Sequence, residues 1–506
     1  MSLGLVVDVG TTNIKAGLVD PEGRVVSQDS RNLEVHRPEK GAAEHDPEEI
    51  LESFSKIVRE TVNGNVDEVE FLGLTGYQFG FLPLDESWEP LTGVLTLMDE
   101  RPKSVMGKFQ NRSDLAEIYR STGCPPLFAY QLPKLLWLKE QKPNVFDKAS
   151  HFADVKSFLL KELVDEFITD PGTASSSQLF NINDFAWDNR LMELAGVDRD
   201  QLPKVGDGKE ILGRLRPELA EKLGLGDEVE VVLGVYDGGA MVLGLGGVNG
   251  QVGVCNLGTT GMIRTCSDEP IMDDPEQRRL QTYSLLPGKW AVGGAVNNAG
   301  VGLRWFRDNL RPGKKYDDII SAAAQVEPGS GGVFSLPYFT GERDPRIGNM
   351  ASGSFFGLKD YHTREHLARA ILEGVGYSLN FIREVMTEDG IEFDRIRIGG
   401  SGARSDLWPQ IIADVTELPV RKTLTENTTL IGGAMVGYKA MGFYDSMPEA
   451  GREMIKSGRE FYPVSNNVDC YEEGYEFFKE LVREFSKLYP LHDEKFSPGS
   501  CSHLFR

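Results

Sequence analysis

Two short turns in this sequence carry residue types suited to holding phosphate groups. DVGTT occupies residues 8–12 and NLGTT occupies residues 256–260. Glycine lets backbone N–H groups approach an anion closely, and threonine hydroxyls add further donors. A plain hairpin turn also favours Gly and Thr, so one copy would indicate little, but two copies favour a nucleotide held from both sides. The predicted donors are Thr11, Thr12, Gly258, Thr259 and Thr260.

Charged residues at and near these turns could complete such a site. Asp8 stands at a strand end, well placed to bind Mg²⁺ directly or through water, and Lys15 could add positive charge. Asp237 follows an apolar strand predicted over 229–235 and precedes small residues that leave room for a ligand. An aspartate at the carboxyl end of a strand is a candidate general base. Capping of the following helix is the alternative interpretation.

Two further turns are rich in glycine or in charge. GGSG at 399–402 follows an apolar strand at 396–398 and precedes a helix predicted over 408–415. A glycine turn that enters a helix often contacts a nucleotide, although a tight strand–helix connection needs the same residues. GERDP at 341–345 is typical of a solvated charged turn when it is taken alone.

Alternation of apolar runs and turn residues predicts the elements that position these side chains. The start of the chain is typical of three antiparallel strands, at Leu3–Val9, 15–19 and 24–28. Further predicted elements are a helix at Pro47–Val62, strands at 71–75 and 81–84, and a helix at 134–141.

An internal echo predicts how the chain is divided. LVVDVGTT at residues 5–12 is matched by GVCNLGTT at 253–260, about half the chain length later. The position of the echo at the start of each half favours duplication over chance. We therefore expect two similar domains that enclose a cleft, where ligands bind. The predicted divisions are a first domain at 1–247, a second at 248–490 and an irregular tail at 491–506.

Composition limits the function classes. The chain has 506 residues, enough for at least two domains, and a formal charge of −23 that disfavours nucleic acid as a partner. Its five cysteines form no CxxC pair and fit a reducing compartment, so we expect a cytoplasmic protein. No apolar stretch reaches the ~18 residues of a transmembrane helix, and Asp8 interrupts the only apolar run at the start of the chain.

These motifs, in this order, resemble the FGGY carbohydrate kinases, the family of xylulokinase, glycerol kinase and gluconate kinase. The resemblance implies an α/β actin-like ATPase fold, in which two ribonuclease-H-like domains flank a nucleotide cleft. It also implies an ATP- and Mg²⁺-dependent kinase acting on a small sugar or polyol. The matching blocks are DVGTTNIKAGLVD (8–20), EHDPEEI (44–50), DER (99–101), PKLLWLKE (133–140), TDPGTASSS (169–177), LGVYDGGAMVLGLG (233–246), NLGTTG (256–261), LPYFTGERDP (336–345), GSFFGL (353–358), LEGVGYSL (372–379) and GGSGARSDLWPQIIADV (399–415).

Carried over position by position, the resemblance implies a role for each matching residue. Asp8 would lie near the metal, Asp237 would accept the proton of the sugar hydroxyl, and Thr259 and Thr260 would face the γ-phosphate. The implied nucleotide contacts are Thr11, Thr12, Lys15, Gly258, Thr259, Thr260, Gly302, Gly400, Ser401, Gly402 and Ser405. The implied sugar site is Gln78, Phe79, Asp99, Arg101 and Asp237.

The sequence departs from the family pattern at the sugar site. Gln78 and Phe79 stand where many members have Met and His, and the Arg-Glu pair of glycerol kinases is absent. Gly238 follows the candidate base, as in gluconate-kinase-like members. The substrate therefore stays open, with a ketopentose or related polyol first, then a sugar acid or glycerol, and an ATP-binding sensor as the non-enzyme alternative. Three further alternatives stay open: a surface position for Gln78, an ion pair of Arg101 with Asp99 or Glu100, and assembly into a homodimer.

Overall fold

Two mixed β-sheets, each flanked by helices, form the framework of this computed structural model, which describes residues 2–425 and 427–496. The strands in chain order are β1 (Leu3–Val9), β2 (Asn13–Val19), β3 (Val25–Asn32), β4 (Glu44–His45), β5 (Val69–Gly76), β6 (Leu82–Leu84), β7 (Val94–Leu95), β8 (His151–Ala153), β9 (Ile168–Thr169), β10 (Phe180–Asn181), β11 (Ala186–Trp187), β12 (Lys204–Val205), β13 (Ile211–Arg214), β14 (Glu230–Val232), β15 (Val252–Leu257), β16 (Gly261–Ser267), β17 (Gln281–Leu286), β18 (Lys289–Val296), β19 (Phe334–Leu336), β20 (Ser354–Phe356), β21 (Arg395–Gly399), β22 (Val420–Thr423) and β23 (Ser457–Phe461).

The α-helices lie between and outside these strands. They are α1 (Pro47–Val62), α2 (Lys103–Gln110), α3 (Leu115–Thr122), α4 (Gln131–Gln141), α5 (Pro143–Lys148), α6 (Val155–Val164), α7 (Pro171–Ser175), α8 (Asn189–Ala195), α9 (Pro217–Leu223), α10 (Asp237–Gly244), α11 (Gly300–Leu310), α12 (Tyr316–Ala323), α13 (Arg364–Glu388), α14 (Leu407–Thr416), α15 (Thr428–Ala440), α16 (Met447–Met454) and α17 (Ser465–Phe496). No helix in the described ranges is long and apolar enough to cross a membrane.

The first sheet has the strand order β13-β14-β5-β1-β2-β3. Strands β1, β2 and β3 pair antiparallel, whereas β5 and β14 continue the sheet in parallel with β1. Every residue of β1 is buried, which explains its unbroken apolar run up to Asp8. The carboxyl ends of β1, β5 and β14 therefore meet at one edge, where the first phosphate turn and Asp237 are found.

The second sheet repeats this arrangement. Its order is β17-β18-β16-β15-β21-β22-β23, with β15, β16 and β18 antiparallel and β21 and β22 parallel to β15. Asn256 on β15 pairs with Met262 on β16 and Gly399 on β21, as Asp8 on β1 pairs with Lys15 on β2 and Thr75 on β5. The echo in the sequence thus corresponds to a repeated strand pattern, and its two turns leave equivalent strands.

The two halves pack through a close crossing of α10 and α15. A Cβ atom added to Gly432 would overlap the carbonyl of Ala240, and one added to Gly244 would overlap the carbonyl of Thr428. Helix α15 also packs on β1 and β5 of the first sheet. Glycine at these positions lets the two helix backbones approach each other, which brings the N-terminus of α15 to the cleft.

Most of the predicted elements are present, with shifts at their ends. The helix at Pro47–Val62 is α1 with identical bounds, while the strand predicted over 229–235 is shorter, at Glu230–Val232. The irregular tail predicted from 491 is wrong at its start, because α17 continues through Phe496. Phe478, Leu481 and Tyr489 of α17 are buried, and this packing sustains the helix toward its end. The rest of the predicted tail, 497–506, lies outside the described residues.

Candidate active site

Asp8 is fixed at the end of β1 by hydroxyl groups from both halves of the chain. Its Oδ1 accepts a hydrogen bond from Thr75 Oγ1 at 2.6 Å, and its Oδ2 accepts one from Thr429 Oγ1 at 2.9 Å. Asp8 is also the partner of Lys15 in the antiparallel register of β1 and β2. The two carboxylate oxygens of Asp8 are thus fixed at a buried position on the edge of the sheet, where a hard cation could bind to them.

Asp237 is the first residue of α10 and lies at the same sheet edge. Its Oδ1 accepts hydrogen bonds from the backbone N–H of Gly238 at 2.7 Å and of Gln78 at 3.3 Å. Burial and the nearby Asp8 carboxylate raise the pKa of Asp237 to about 7. A carboxyl group with this pKa exchanges a proton readily near neutral pH, as a general base must. The capping alternative is not what is observed, because Tyr236 occupies the N-cap position of α10.

One cavity of about 590 Å³ joins the two aspartates to both threonine turns. Its walls come from the first half at Thr11, Thr12 and Lys15, and from the second half at Gly258 and Thr259. Thr260 is exposed at the second turn, where its carbonyl accepts from the N–H of Gly258. The structure thus brings the two turns to one cavity, although they lie far apart along the chain.

A second cavity of about 570 Å³ continues from Gly258 and Thr259. Ser401, Gly402 and Ser405 line it, and Ser405 Oγ is buried with no hydrogen-bond partner among the described residues. A buried hydroxyl without a partner is costly, and a ligand with polar atoms would satisfy it. Gly400, which lines the first cavity, has a φ of 86° and passes so close to Leu257 that a side chain would clash.

Gly302 is placed differently from these residues. It lies in α11, and a Cβ atom added there would meet Ile371 and Phe339 at 3.0 and 3.1 Å. This packing explains its small size without a ligand, and Gly302 is not among the residues that line either cavity. Its contact with the nucleotide therefore stays a prediction.

Gln78 and Phe79 lie on the loop beside Asp237. Gln78 Nε2 is buried and has no hydrogen-bond partner among the described residues, so the amide offers a free donor. Phe79 has a φ of 69°, and its ring meets that of Tyr130 edge to face at 5.3 Å. Lys134 is buried and donates to the carbonyls of Phe79, Leu95 and Thr96, which fixes this strained loop. Burial lowers the pKa of Lys134 to about 7.

Asp99 and Arg101 form a structural ion-pair network. Asp99 is fully buried and accepts from the backbone N–H of Ala43 and from Arg101, whose guanidinium also donates to Glu39 and Glu44. The ion pair between Arg101 and Asp99, left open by the sequence, is therefore present. Since these partners occupy the guanidinium fork, a role for Asp99 and Arg101 in holding a sugar stays a prediction.

The donor set fits Mg²⁺ bound together with phosphate. No cluster of three or more His, Cys, Asp or Glu side chains that could hold a metal occurs in the part of the chain that the structure describes. Mg²⁺ usually binds to one or two carboxylates plus substrate phosphates rather than in an all-protein cage. Asp8, with Asp237 on the same cavity, supplies hard oxygen ligands of this kind.

Comparison with known proteins places this geometry in a family. Residues 3–244 match the FGGY family of carbohydrate kinases, N-terminal domain, and residues 253–441 match the C-terminal domain of the same family. The chain belongs to the FGGY family of carbohydrate kinases. Its fold is the two-domain actin-like ATPase fold of that family, and it is a phosphotransferase of the carbohydrate kinase type.

Two groups of FGGY kinases are similar to this one over nearly the whole chain. A gluconokinase from Bacillus subtilis is 32% identical over 96% of both chains, and a xylulose kinase from the same organism is 26% identical over 94% of this chain and 95% of its own. Crystal structures of a xylulose kinase and a gluconate kinase from Lactobacillus acidophilus superpose with TM-scores of 0.93 and 0.92, at 25% and 26% identity. Each covers 97% of this chain and 100% of its own.

Several residues of this FGGY kinase site were missed by reasoning from the sequence. Thr75 and Thr429 hold Asp8, Lys134 holds the Phe79 loop, and Asn256 replaces Asp8 in the second sheet. The sequence TTLIGG at 428–433, a threonine pair before a glycine-containing apolar helix, was the one available signal for Thr429. Lys134 carried no such signal, because its partners lie 38 to 55 residues away along the chain.

Proposed function

We propose that this FGGY kinase transfers the γ-phosphoryl group of ATP to a hydroxyl of a small polyhydroxy substrate, with Asp237 as general base. The observation that carries the proposal is the cavity shared by Asp8, Asp237 and both threonine turns. Phosphoryl transfer depends on positioning and charge stabilisation more than on covalent chemistry, and this cavity offers both.

In the proposed reaction each residue has a distinct task. Thr11, Thr12 and Thr259 donate to the phosphates from opposite sides, and Lys15 adds positive charge. Asp237 accepts the proton of the substrate hydroxyl, while Gln78 orients that substrate through its free amide donor. Asp8 would hold Mg²⁺, which when bound neutralises charge on the phosphates. Ser401, Gly402 and Ser405 would surround the adenosine part of the nucleotide.

Two substrate classes have specific support. The ketopentose favoured by the sequence has support from similarity to xylulose kinases, and a sugar acid has support from 32% identity to a gluconokinase. Gly238 after the base also fits the second class. Both substrates present a row of hydroxyls, which suits the unpartnered Gln78 amide.

The test is a screen of MgATP turnover against ketoses, polyols and sugar acids, with ADP release and the phosphorylated product both measured. We expect at least one of these classes to raise turnover well above basal ATP hydrolysis. Asp237→Asn should remove that stimulation, whereas the exposed control Asp227→Asn should retain it. Failure of all three classes to stimulate turnover, with folded protein and bound ATP, would refute the kinase proposal and favour a sensor.

A further inference from the structure

Positive charge is concentrated around the second cavity, the one that continues from the second phosphate turn. Its lining includes five cationic side chains and one anionic side chain, namely Arg304, Arg307, Lys314, Lys315 and Arg404, with Asp317. The chain as a whole has a formal charge of −23. A cluster of the opposite sign on so acidic a protein therefore needs its own explanation.

Helix α11 and the connection that follows it supply four of these cations. Arg304 and Arg307 are three residues apart on α11, so they share the face of the helix that lines the cavity. The two lysines follow in the connection between α11 and α12. Helix α11 begins at Gly300, whose N–H donates to the Gly258 carbonyl of the second phosphate turn at 2.9 Å. The cations therefore project from an element that is attached to that turn.

Three of these charges are not paired with an acidic group. No described Asp or Glu forms an ion pair with Arg304, Lys314 or Lys315, and all three side chains are exposed. Arg307 differs, because its Nε donates to Asp308 Oδ1 at 2.7 Å. Unpaired charges at the mouth of a cavity produce a positive potential there, since no adjacent carboxylate cancels them.

The position of the cluster indicates which part of the nucleotide it acts on. Adenosine is neutral and gains little from positive charge, whereas the phosphate chain is anionic. The cavity begins at Gly258 and Thr259, on the turn proposed to hold the phosphates. The net negative charge of the protein repels an anion that approaches from solution, and a local group of cations reverses this repulsion along one approach.

We propose that Arg304, Lys314 and Lys315 form an electrostatic entrance that steers the phosphate chain of MgATP into its cavity. This inference rests on the proposed kinase function, with MgATP as the phosphoryl donor. The exposed positions of the three side chains favour action through the field around the cavity over a hydrogen bond at a fixed site. Their effect on binding should therefore depend on salt and on the charge of the ligand, whereas contact with the base or the ribose would depend on neither.

The experiment compares MgATP with adenosine, its neutral counterpart, as ligands for wild type and two double variants. Lys314→Gln/Lys315→Gln removes two charges at the entrance, and the control Lys204→Gln/Lys222→Gln removes two from exposed positions that line neither cavity. Association is followed by tryptophan fluorescence, to which Trp408 in the same cavity contributes, and the Kd is measured by calorimetry.

At about 10 mM salt, where the Debye length is about 30 Å, the Lys314→Gln/Lys315→Gln variant should bind MgATP on the order of tenfold more slowly and more weakly than wild type. At about 1 M salt, where the Debye length is about 3 Å, the difference should nearly disappear. Adenosine should bind equally to all the proteins, and Lys314→Arg/Lys315→Arg should behave like wild type because it keeps both charges.

Several outcomes would overturn this inference. A loss of MgATP binding that persists at about 1 M salt, or an equal loss for adenosine, would show that the lysines contact the nucleotide directly. An equal loss in the control would show that net charge alone is responsible, and no loss at low salt would exclude steering. Because binding is measured without an acceptor, the result does not depend on turnover. Absence of turnover with every hydroxyl compound would refute the kinase function and leave the steering result intact.

Discussion

The raised pKa of Asp237 predicts a measurable pH dependence in the neutral range. Burial and the charge of Asp8 raise the pKa of Asp237 to about 7, and only the ionised carboxylate can accept a proton. The rate constant kcat/KM for MgATP reports the enzyme before nucleotide binds. It should therefore be constant above about pH 8 and fall about tenfold per pH unit below pH 7.

A second profile tests the electrostatic cause of the shift. The constant kcat reports the complex with both substrates bound. Bound MgATP brings both a cation and phosphate anions into the cavity, so kcat/KM, which reports the enzyme before nucleotide binds, is the profile that isolates the effect of the Asp8 charge on Asp237. Asp8→Asn removes the same charge and should lower the inflection in kcat/KM of its residual activity.

The assay measures ADP release with a coupled enzyme system over about pH 5.5–9. The best acceptor is kept at a saturating concentration, and its phosphorylated product is confirmed. Asp237→Asn should lose on the order of 10²–10⁴-fold in kcat, and its residual rate should no longer show the inflection near neutral pH. Two results would show that another group titrates. One is a wild-type profile that is flat between about pH 6 and pH 8, and the other is an inflection that persists unchanged in Asp237→Asn. The assignment of Asp237 as base would then fail.

Three further predictions concern the sugar site, the nucleotide turns and the helix crossing. Gln78→Ala should raise the KM of the best acceptor and weaken discrimination against deoxy analogues, with the KM for ATP nearly unchanged; unaltered acceptor kinetics would place the substrate elsewhere. Thr11→Val and Thr259→Val should each raise the KM for MgATP, and an effect in only one of them would contradict binding by both halves. Gly432→Ala should lower the free energy of unfolding by at least about 1–3 kcal/mol, because its Cβ would overlap a carbonyl of α10. Gly107→Ala, in open space on α2, is the matched control and should be neutral or stabilising in denaturant unfolding.

Local patterns were sufficient to predict the parts of the fold that depend on neighbours in the chain. The buried strand ending at Asp8 has an unbroken apolar run, and the helix Pro47–Val62 has Asp46 as its N-cap. The repeated Gly-Thr-Thr turns predicted two halves, since equivalent sequences leave equivalent strands of the two sheets. Asp8, Asp237 and the first turn then meet because parallel strands of the first sheet end at one edge. The second turn leaves the other sheet and reaches the same cavity through the packing of the two halves.

Contacts between distant segments could not be predicted in the same way. Arg101 in a DxR motif is equally suited to a ligand or to an ion pair, and only the folded chain shows Glu39 and Glu44 beside it. The choice between these roles depends on which acidic residues fold nearby, and sequence spacing does not determine that. Lys134 similarly looks like an ordinary helix residue until its three carbonyl partners are assembled around it.

The hydroxyls that hold Asp8 link the base to the relative position of the two halves. Thr75 belongs to the first sheet, but Thr429 belongs to α15, which reaches Asp8 only because the glycine-lined crossing lets that helix approach α10. Both hydroxyls donate to the Asp8 carboxylate and fix its position at the cavity. The charge of Asp8 in turn raises the pKa of Asp237. The proton affinity of the proposed base therefore depends on packing between residues 421 positions apart, and a substitution that separates α10 from α15 should change catalysis as well as stability.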